Sequence, residues 1–143
     1  MNTGKKLRVV LVDDSSIFRE RIAALISVLP GVEIVGQAPD ALSGLAFAQA
    51  FRPDVMVLDI NLPGASGIEL LKAVKGHTYP PLVIMLTNHN ESQLRDKCFE
   101  LGAEFYFYKP EEFEKAVEVC RDLGERRFNS ASAKGPRDES RRN

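Results

Sequence analysis

Five short, largely apolar runs recur along the chain, and turn-forming residues follow each of them. The second run is the most polar, because Glu33 and Gln37 interrupt it. Apolar runs of this length are typical of strands that are buried on both faces of a parallel sheet, and the more polar second run favours a position at the sheet edge. The runs are Leu7–Val12, Val32–Ala38, Val55–Leu58, Leu82–Thr87 and Phe105–Tyr108.

Between these runs, apolar residues recur every three to four positions, which predicts one helix after each strand. Asp40 is expected to cap the second helix, and Asn90 with Gln93 resembles a capping box for the fourth. Gly102 and Gly124 are the predicted stops of the fourth and fifth helices. The predicted helices cover about residues 16–29, 41–51, 66–75, 91–101 and 111–123.

Strands that alternate with single helices predict a parallel sheet with helices on both faces. The expected fold class is therefore α/β: a (βα)5 doubly wound, five-stranded parallel sheet of the flavodoxin-like type. A length of 143 residues suits one such domain. We expect an N-terminal extension at residues 1–6, the folded domain at 7–124, and a polar, disordered tail at 125–143.

The charge distribution does not favour nucleic-acid or membrane binding. The net charge is −1, and the six basic residues after position 124 are mixed with three acidic ones and form no amphipathic pattern. No stretch approaches the ~20 apolar residues that span a bilayer, and Lys5, Lys6 and Arg8 interrupt any secretory signal. We therefore expect a cytoplasmic protein, in which Cys98 and Cys120 are buried thiols.

Residues with useful chemistry stand at the predicted carboxyl ends of four strands. Asp13 and Asp14 follow the first strand, and Asp59 follows the third. Thr87 ends the fourth strand, and Lys109 follows the fifth. Because ligands bind at this edge of open α/β sheets, the sequence predicts that three carboxylates, a hydroxyl and an ammonium group meet there.

Three carboxylates in one pocket repel each other unless a cation neutralises them. Mg²⁺ suits a pocket of carboxylate oxygens, and no His or Cys stands at these strand ends to suit zinc. Taken alone, Asp13 is explained as a helix cap, Asp59 as part of an Asx turn, and Lys109 as a surface lysine. Their occurrence together, in this chain order, favours phosphoryl chemistry.

These residues resemble the motifs of the receiver (CheY-like) domains of two-component response regulators. The resemblance covers about residues 7–124, and no helix-turn-helix pattern follows it, so we expect a stand-alone receiver. The matching motifs are the acid pair Asp13-Asp14, the strand VMVLD that ends at Asp59, the following NLPGASG, Thr87, and Lys109-Pro110 preceded by GAEFYFY.

The resemblance implies that Asp59 accepts a phosphoryl group from a phosphohistidine. The donor would be a sensor histidine kinase or a histidine phosphotransfer protein. The resemblance also implies that Asp13, Asp14, Asp59 and the backbone carbonyl of Asn61 bind Mg²⁺.

The same resemblance implies a switch. Lys109 and the Thr87 hydroxyl would contact the phosphoryl group, and Tyr106 would turn inward when Thr87 moves. The surface formed by the fourth helix, fifth strand and fifth helix would then bind a downstream protein target. The sequence leaves open a homodimer that forms on phosphorylation.

Other functions fit the sequence less well. A phosphatase with Asp59 as nucleophile commonly carries a second Asp two residues later, where this chain has Asn61. A scaffold that never carries phosphate would not need the complete residue set, and a flavin-binding protein would need a Gly- or Ser-rich first loop. We therefore expect no enzyme beyond a receiver that catalyses its own phosphorylation and dephosphorylation.

Asn88 and His89 lie in the loop that follows the fourth predicted strand. Asn88 stands where the family commonly places a small residue, and its side chain is expected to narrow access to Asp59. His89 is expected to be an exposed loop residue, as is His77 in the preceding connection.

Overall fold

The computed structural model describes residues 5–132, with side chains described through residue 127. It contains five strands and five helices in strict alternation, which confirms the predicted α/β class. The elements are β1 (Leu7–Val12), α1 (Ser16–Ser27), β2 (Val32–Ala38), α2 (Ala41–Phe51), β3 (Val55–Leu58), α3 (Gly67–Lys75), β4 (Leu82–Thr87), α4 (Ser92–Glu100), β5 (Phe105–Tyr108) and α5 (Lys109–Ser132).

All strand pairs are parallel, and the sheet order is β2-β1-β3-β4-β5. The more polar β2 therefore lies at an edge, as predicted. Leu58 at the end of β3 pairs with Val12 of β1 and with Met85 of β4. This register brings the residues that follow β1 and β3 to the same edge of the sheet.

Each face of the sheet carries its own apolar core, because side chains alternate between the faces along a strand. Ile22 and Ile26 of α1 pack with Val117 and Cys120 of α5 on one face. The other face is covered by α2, α3 and α4, whose buried residues include Leu71 of α3. The two helical layers exclude water from the strands, which leaves the carboxyl ends of the strands as the place for exposed polar chemistry.

The helix caps agree with the sequence in part. Asp40 caps α2, since its Oδ1 accepts a hydrogen bond from the backbone N–H of Ser43 at 2.8 Å. The capping box proposed for Asn90 and Gln93 is wrong: α4 begins after Glu91, which makes no side-chain cap bond. The segment before α4 is instead held by the hydrogen bonds of the β4–α4 loop, described below.

The predicted end of the last helix at Gly124 is also wrong. Helix α5 continues to Ser132, so residues 125–132 are helical rather than a disordered tail. Gly124 is buried, and a Cβ placed there would lie 2.5 Å from Cγ2 of Val32. The glycine therefore permits close packing of α5 against the start of β2, and beyond it Arg127 pairs with Asp54 at 3.1 Å. The rest of the predicted tail lies outside the described residues.

No helix within residues 5–132 is both long enough and apolar enough to cross a bilayer.

Candidate functional site

The β1–α1 turn holds the first two carboxylates. Asp13 is buried, and its Oδ1 accepts a hydrogen bond from the backbone N–H of Ser15 at 2.8 Å. Ser15 in turn caps α1, where its hydroxyl accepts from the N–H of Phe18 at 3.2 Å. Asp14 is exposed. The turn thus fixes one carboxylate inside the pocket and presents the other to solvent.

Asp59 directly follows β3 and is only 5% exposed. Its backbone N–H donates to the carbonyl of Val12 at 3.0 Å, which extends the β1–β3 pairing by one residue. Its Oδ1 accepts from the backbone N–H of Asn61 at 3.3 Å. The carboxylate is therefore oriented by the turn that follows it.

Helix α3 packs unusually closely against this turn. A Cβ on Gly67 would lie 1.9 Å from the carbonyl oxygen of Asp59, so only glycine fits this position. The N–H of Gly67 donates to the carbonyl of Ile60 at 2.8 Å. The second glycine of the NLPGASG motif thus supports the backbone that carries Asp59.

Lys109 contacts two of the carboxylates. Its Nζ lies 2.7 Å from Oδ2 of Asp13 and 3.1 Å from Oδ2 of Asp59, and all three side chains are largely buried. One ammonium group therefore bridges the strand ends of β1 and β3. The predicted convergence of Asp13, Asp59 and Lys109 is seen directly in the structure.

The charges in this pocket shift the ionisation of its groups. Burial raises the pKa of Asp13 above its ordinary value, although the hydrogen bond from Lys109 opposes that shift. Burial alone would lower the pKa of Lys109, but the hydrogen bond to Asp13 and the charge of Asp59 outweigh it and raise the pKa. Lys109 is therefore a cation throughout the neutral range.

The pocket also fits a divalent cation. Asp13, Asp14 and Asp59 each offer a carboxylate oxygen, and these oxygens lie within 4.8 Å of one another. A set of hard oxygen donors with net negative charge is the environment that Mg²⁺ prefers, and nitrogen or sulfur ligands are absent from this described cluster.

Thr87 and Tyr106 both contact His89 in the loop that follows β4. Thr87 is fully buried, and its Oγ1 accepts from the backbone N–H of His89 at 3.4 Å. The Tyr106 ring is also buried, and its hydroxyl donates to the carbonyl of His89 at 2.9 Å. Burial raises the pKa of Tyr106 to about 12, so its hydroxyl remains a donor at neutral pH.

His89 makes contacts that the sequence did not predict. It was expected to be an exposed loop residue, but it is half-buried and central to the loop. Its Nε2 lies 3.1 Å from Oδ1 of Asn61, and its Nδ1 lies 3.3 Å from Oε1 of Glu91. His89 therefore ties the turn after Asp59 to the start of α4. A lone histidine in a polar loop carries no sequence signal for such a bridge.

Phe18 is the second residue that sequence reasoning missed. The sequence pattern assigns it only to the apolar face of α1, yet its ring centroid lies 4.3 Å from Nζ of Lys109. The same ring meets Phe113 of α5 edge-to-face, with centroids 6.2 Å apart.

The fold and the acidic cluster together define a flavodoxin-like, CheY-type receiver architecture. The chain belongs to the response regulator receiver domain family, whose model matches residues 9–121. The general function of this family is to accept a phosphoryl group in two-component signalling, and its members generally bind Mg²⁺ at an acidic pocket.

Curated relatives support this assignment over most of the chain. A protein-glutamate methylesterase/protein-glutamine glutaminase 2 of Vibrio vulnificus is 35% identical over 108 residues, which cover 75% of this chain and 31% of that protein. The probable transcriptional regulatory protein NarL of Mycobacterium tuberculosis is 33% identical over 119 residues, covering 81% of this chain and 55% of that protein. The chain thus spans about a third to about half of the length of these relatives.

Solved receiver structures match most of this chain. The signal receiver domain of the putative response regulator NarL from Mycobacterium tuberculosis has a TM-score of 0.77 at 30% identity, covering 85% of this chain and 98% of that one. The response regulator domain of Thermotoga maritima CheB has a TM-score of 0.75 at 27% identity, covering 87% and 98% of the two chains.

Proposed function

We propose that Asp59 is the phosphoacceptor of this receiver. The observation that carries the proposal is the position of its carboxylate, which shares Lys109 Nζ with Asp13 and lies within 4.8 Å of the Asp13 and Asp14 oxygens. A carboxylate in such a pocket has a cation beside it and a place for a second one, which is what an attacking group needs to approach an anionic phosphoryl donor.

The proposed reaction is a transfer between two side chains. An oxygen of Asp59 bonds to phosphorus as the bond between phosphorus and the donor imidazole nitrogen breaks. The electron pair of that bond remains on the imidazole, and the product is an acyl phosphate. Water later attacks phosphorus, which releases phosphate and restores the Asp59 carboxylate.

We propose that Asp13, Asp14, Asp59 and the backbone carbonyl of Asn61 hold Mg²⁺. When bound, Mg²⁺ supplies positive charge to the phosphoryl oxygens and offsets their repulsion by the acidic pocket. Lys109 contributes a point charge from the other side.

Thr87 and Tyr106 form the proposed switch. The added phosphoryl group brings about −1.5 to −2 charge and three acceptor oxygens, and the Thr87 hydroxyl donates to one of them. That hydroxyl now accepts from the N–H of His89, so its reorientation changes the loop that also binds the Tyr106 hydroxyl. The change thereby reaches α4, β5 and α5.

We propose that the phosphohistidine donor docks along α1. Ile17 and Val28 are each 77% exposed, and at about 100° per residue they lie on nearly the same side of the helix. Ile17 comes three residues after Asp14, so it is close in sequence to the proposed Mg²⁺ ligands. The donor is a histidine kinase or a phosphotransfer protein, and the downstream protein target binds the α4–β5–α5 surface instead.

The test is phosphorylation with acetyl phosphate and Mg²⁺, followed by intact mass measurement. We expect the wild type to gain one hydroxylamine-labile phosphate, and Asp59→Asn to gain none. Asp122→Asn, which changes an exposed aspartate on α5, serves as the matched control and should behave as the wild type. Light scattering of the same samples tests for a homodimer that forms on phosphorylation.

Two outcomes would contradict the proposal. If the wild type turns over many acetyl phosphate molecules without reaching a one-phosphate limit, the chain is a phosphatase. If no phosphate is gained, or if Asp59→Asn gains as much as the wild type, Asp59 is not the acceptor.

A further inference from the structure

Lys109 has one close partner in the described structure that carries no charge. The ring of Phe18 lies with its centroid 4.3 Å from Nζ, well within the distance at which a cation interacts with an aromatic face. The other two partners of Nζ are the carboxylates of Asp13 and Asp59. The ammonium group is therefore held between two anions and one aromatic ring.

The two carboxylates have other tasks in the proposed reaction. Both would bind Mg²⁺, and Asp59 would also form the bond to phosphorus. A carboxylate that is neutralised by a divalent cation, or whose oxygen is bonded to phosphorus as an acyl phosphate, attracts the ammonium group less strongly. The attraction that orients Lys109 thus falls at the stage when its charge is needed.

We propose that Phe18 is a positioning residue that keeps Lys109 directed at the phosphoryl site while the carboxylates are engaged. This inference rests on the proposed function of Asp59. The ring offers a face that attracts a cation through its quadrupole, and no step of the reaction changes that face.

Two contacts hold Phe18 in place, one at its backbone and one at its ring. The N–H of Phe18 donates to the Ser15 hydroxyl, so the N-cap of α1 sets the position of the backbone. Phe113 of α5 meets the ring at an interplanar angle of 74°, an edge-to-face contact that sets the ring plane. Lys109 is the first residue of α5, and Phe113 lies one turn further on in the same helix. Helix α5 therefore positions both the ammonium group and, through Phe113, the Phe18 ring that the ammonium group contacts.

The first test compares Phe18→Leu with Phe18→Tyr. Leucine keeps an apolar side chain but has no quadrupole, whereas tyrosine keeps the ring. We expect Phe18→Leu to lower the rate of phosphorylation by acetyl phosphate by about three- to tenfold, as a partly buried cation–π contact implies. Phe18→Tyr should retain at least about half of the wild-type rate. Leu42→Ala, at an exposed apolar position of α2, is the matched control.

A double-mutant cycle with Lys109→Ala separates positioning from packing. If Phe18 acts through Lys109, Phe18→Leu should have no further effect on the rate in the Lys109→Ala background. A three- to tenfold loss that persists there would show that the ring acts through packing alone, and would overturn the inference.

An NMR measurement of the Lys109 ammonium chemical shift tests the contact independently of activity. The side-chain ammonium signal of Lys109, identified by its loss in Lys109→Ala, should be shielded by the Phe18 ring with and without Mg²⁺. Phe18→Leu should remove the shielding, and an unchanged signal would overturn the inference. If the wild type gains no phosphate, the proposed function fails first; if it does and Phe18→Leu is unaffected, only the positioning role fails.

Discussion

At the scale of single residues, the ionisation of Asp13 opposes folding. Burial raises its pKa above the ordinary value of 3.8 despite the hydrogen bonds from Lys109 and Ser15. A carboxyl group with a higher pKa in the folded chain is more easily ionised in the unfolded chain. Ionised Asp13 therefore lowers the free energy of unfolding at any pH above its folded pKa.

We therefore expect Asp13→Asn to be more stable than the wild type at pH 7 without Mg²⁺. The difference should shrink as the pH falls through the raised pKa of Asp13, and it should vanish below 3.8, where the carboxyl group is protonated in both states. Urea unfolding followed by circular dichroism over a pH series measures this. A variant that is less stable at pH 7, or a difference that does not depend on pH, would contradict it.

Asn88 gives a second prediction at this scale. It is exposed and directly follows the buried Thr87, and we propose that its side chain restricts access to Asp59. We expect Asn88→Ala to hydrolyse its acyl phosphate about twofold faster or more, because water reaches Asp59 more easily. The lifetime of the phosphorylated form after removal of acetyl phosphate measures this. An unchanged lifetime would count against control of access by Asn88.

The site residues that could be predicted from the sequence follow strands, whereas those that could not be predicted depend on tertiary placement. Asp13, Asp59 and Lys109 were predictable because each follows a buried strand, and the parallel sheet alone brings strand ends together. The contacts of Phe18 and His89 depend on how a helix and a loop are placed in three dimensions. No local pattern encodes that placement.

At the scale of secondary-structure elements, the strands were predicted closely because each is a short apolar run, and β1, β3 and β4 are buried on both faces. Helix ends were harder, since their signals are local and tertiary packing overrides them. Gly124 has the sequence character of a helix stop, yet α5 continues past it. The glycine is required there because Val32 leaves no space for a Cβ.

This packing predicts the effect of adding one methyl group. We expect Gly124→Ala to lower the free energy of unfolding by about 1–3 kcal/mol, the usual cost of overpacking a close contact. Gly76→Ala is the matched control: its φ is −83°, the nearest atom to an added Cβ is 3.5 Å away, and the change should be nearly neutral. Equal stability of the two variants in urea would show that Val32 and its surroundings adjust.

At the scale of the whole molecule, each of the two apolar cores contains one buried cysteine. Cys98 of α4 is buried in the core on one face of the sheet, and Cys120 of α5 is buried in the core on the other. Burial raises the pKa of Cys98 to about 11 and that of Cys120 to about 12. The reactive thiolate is therefore scarce at pH 8 in the folded chain.

We expect both thiols to react with iodoacetamide only when the chain unfolds. In urea, the labelling midpoints of Cys98→Ala and Cys120→Ala, each retaining one thiol, should coincide with the unfolding midpoint of the same variant measured by circular dichroism. Labelling of one thiol at much lower urea would show that one face of the sheet opens independently of the other.

The continuity of α5 has a mechanical consequence. The helix starts at Lys109 and runs for 24 residues to Ser132, a rod about 36 Å long at 1.5 Å per residue. Its close contact with Val32 is at Gly124, about two thirds of the way along the helix. A small tilt of the helix at Lys109 would therefore be carried along it as a displacement at Ser132.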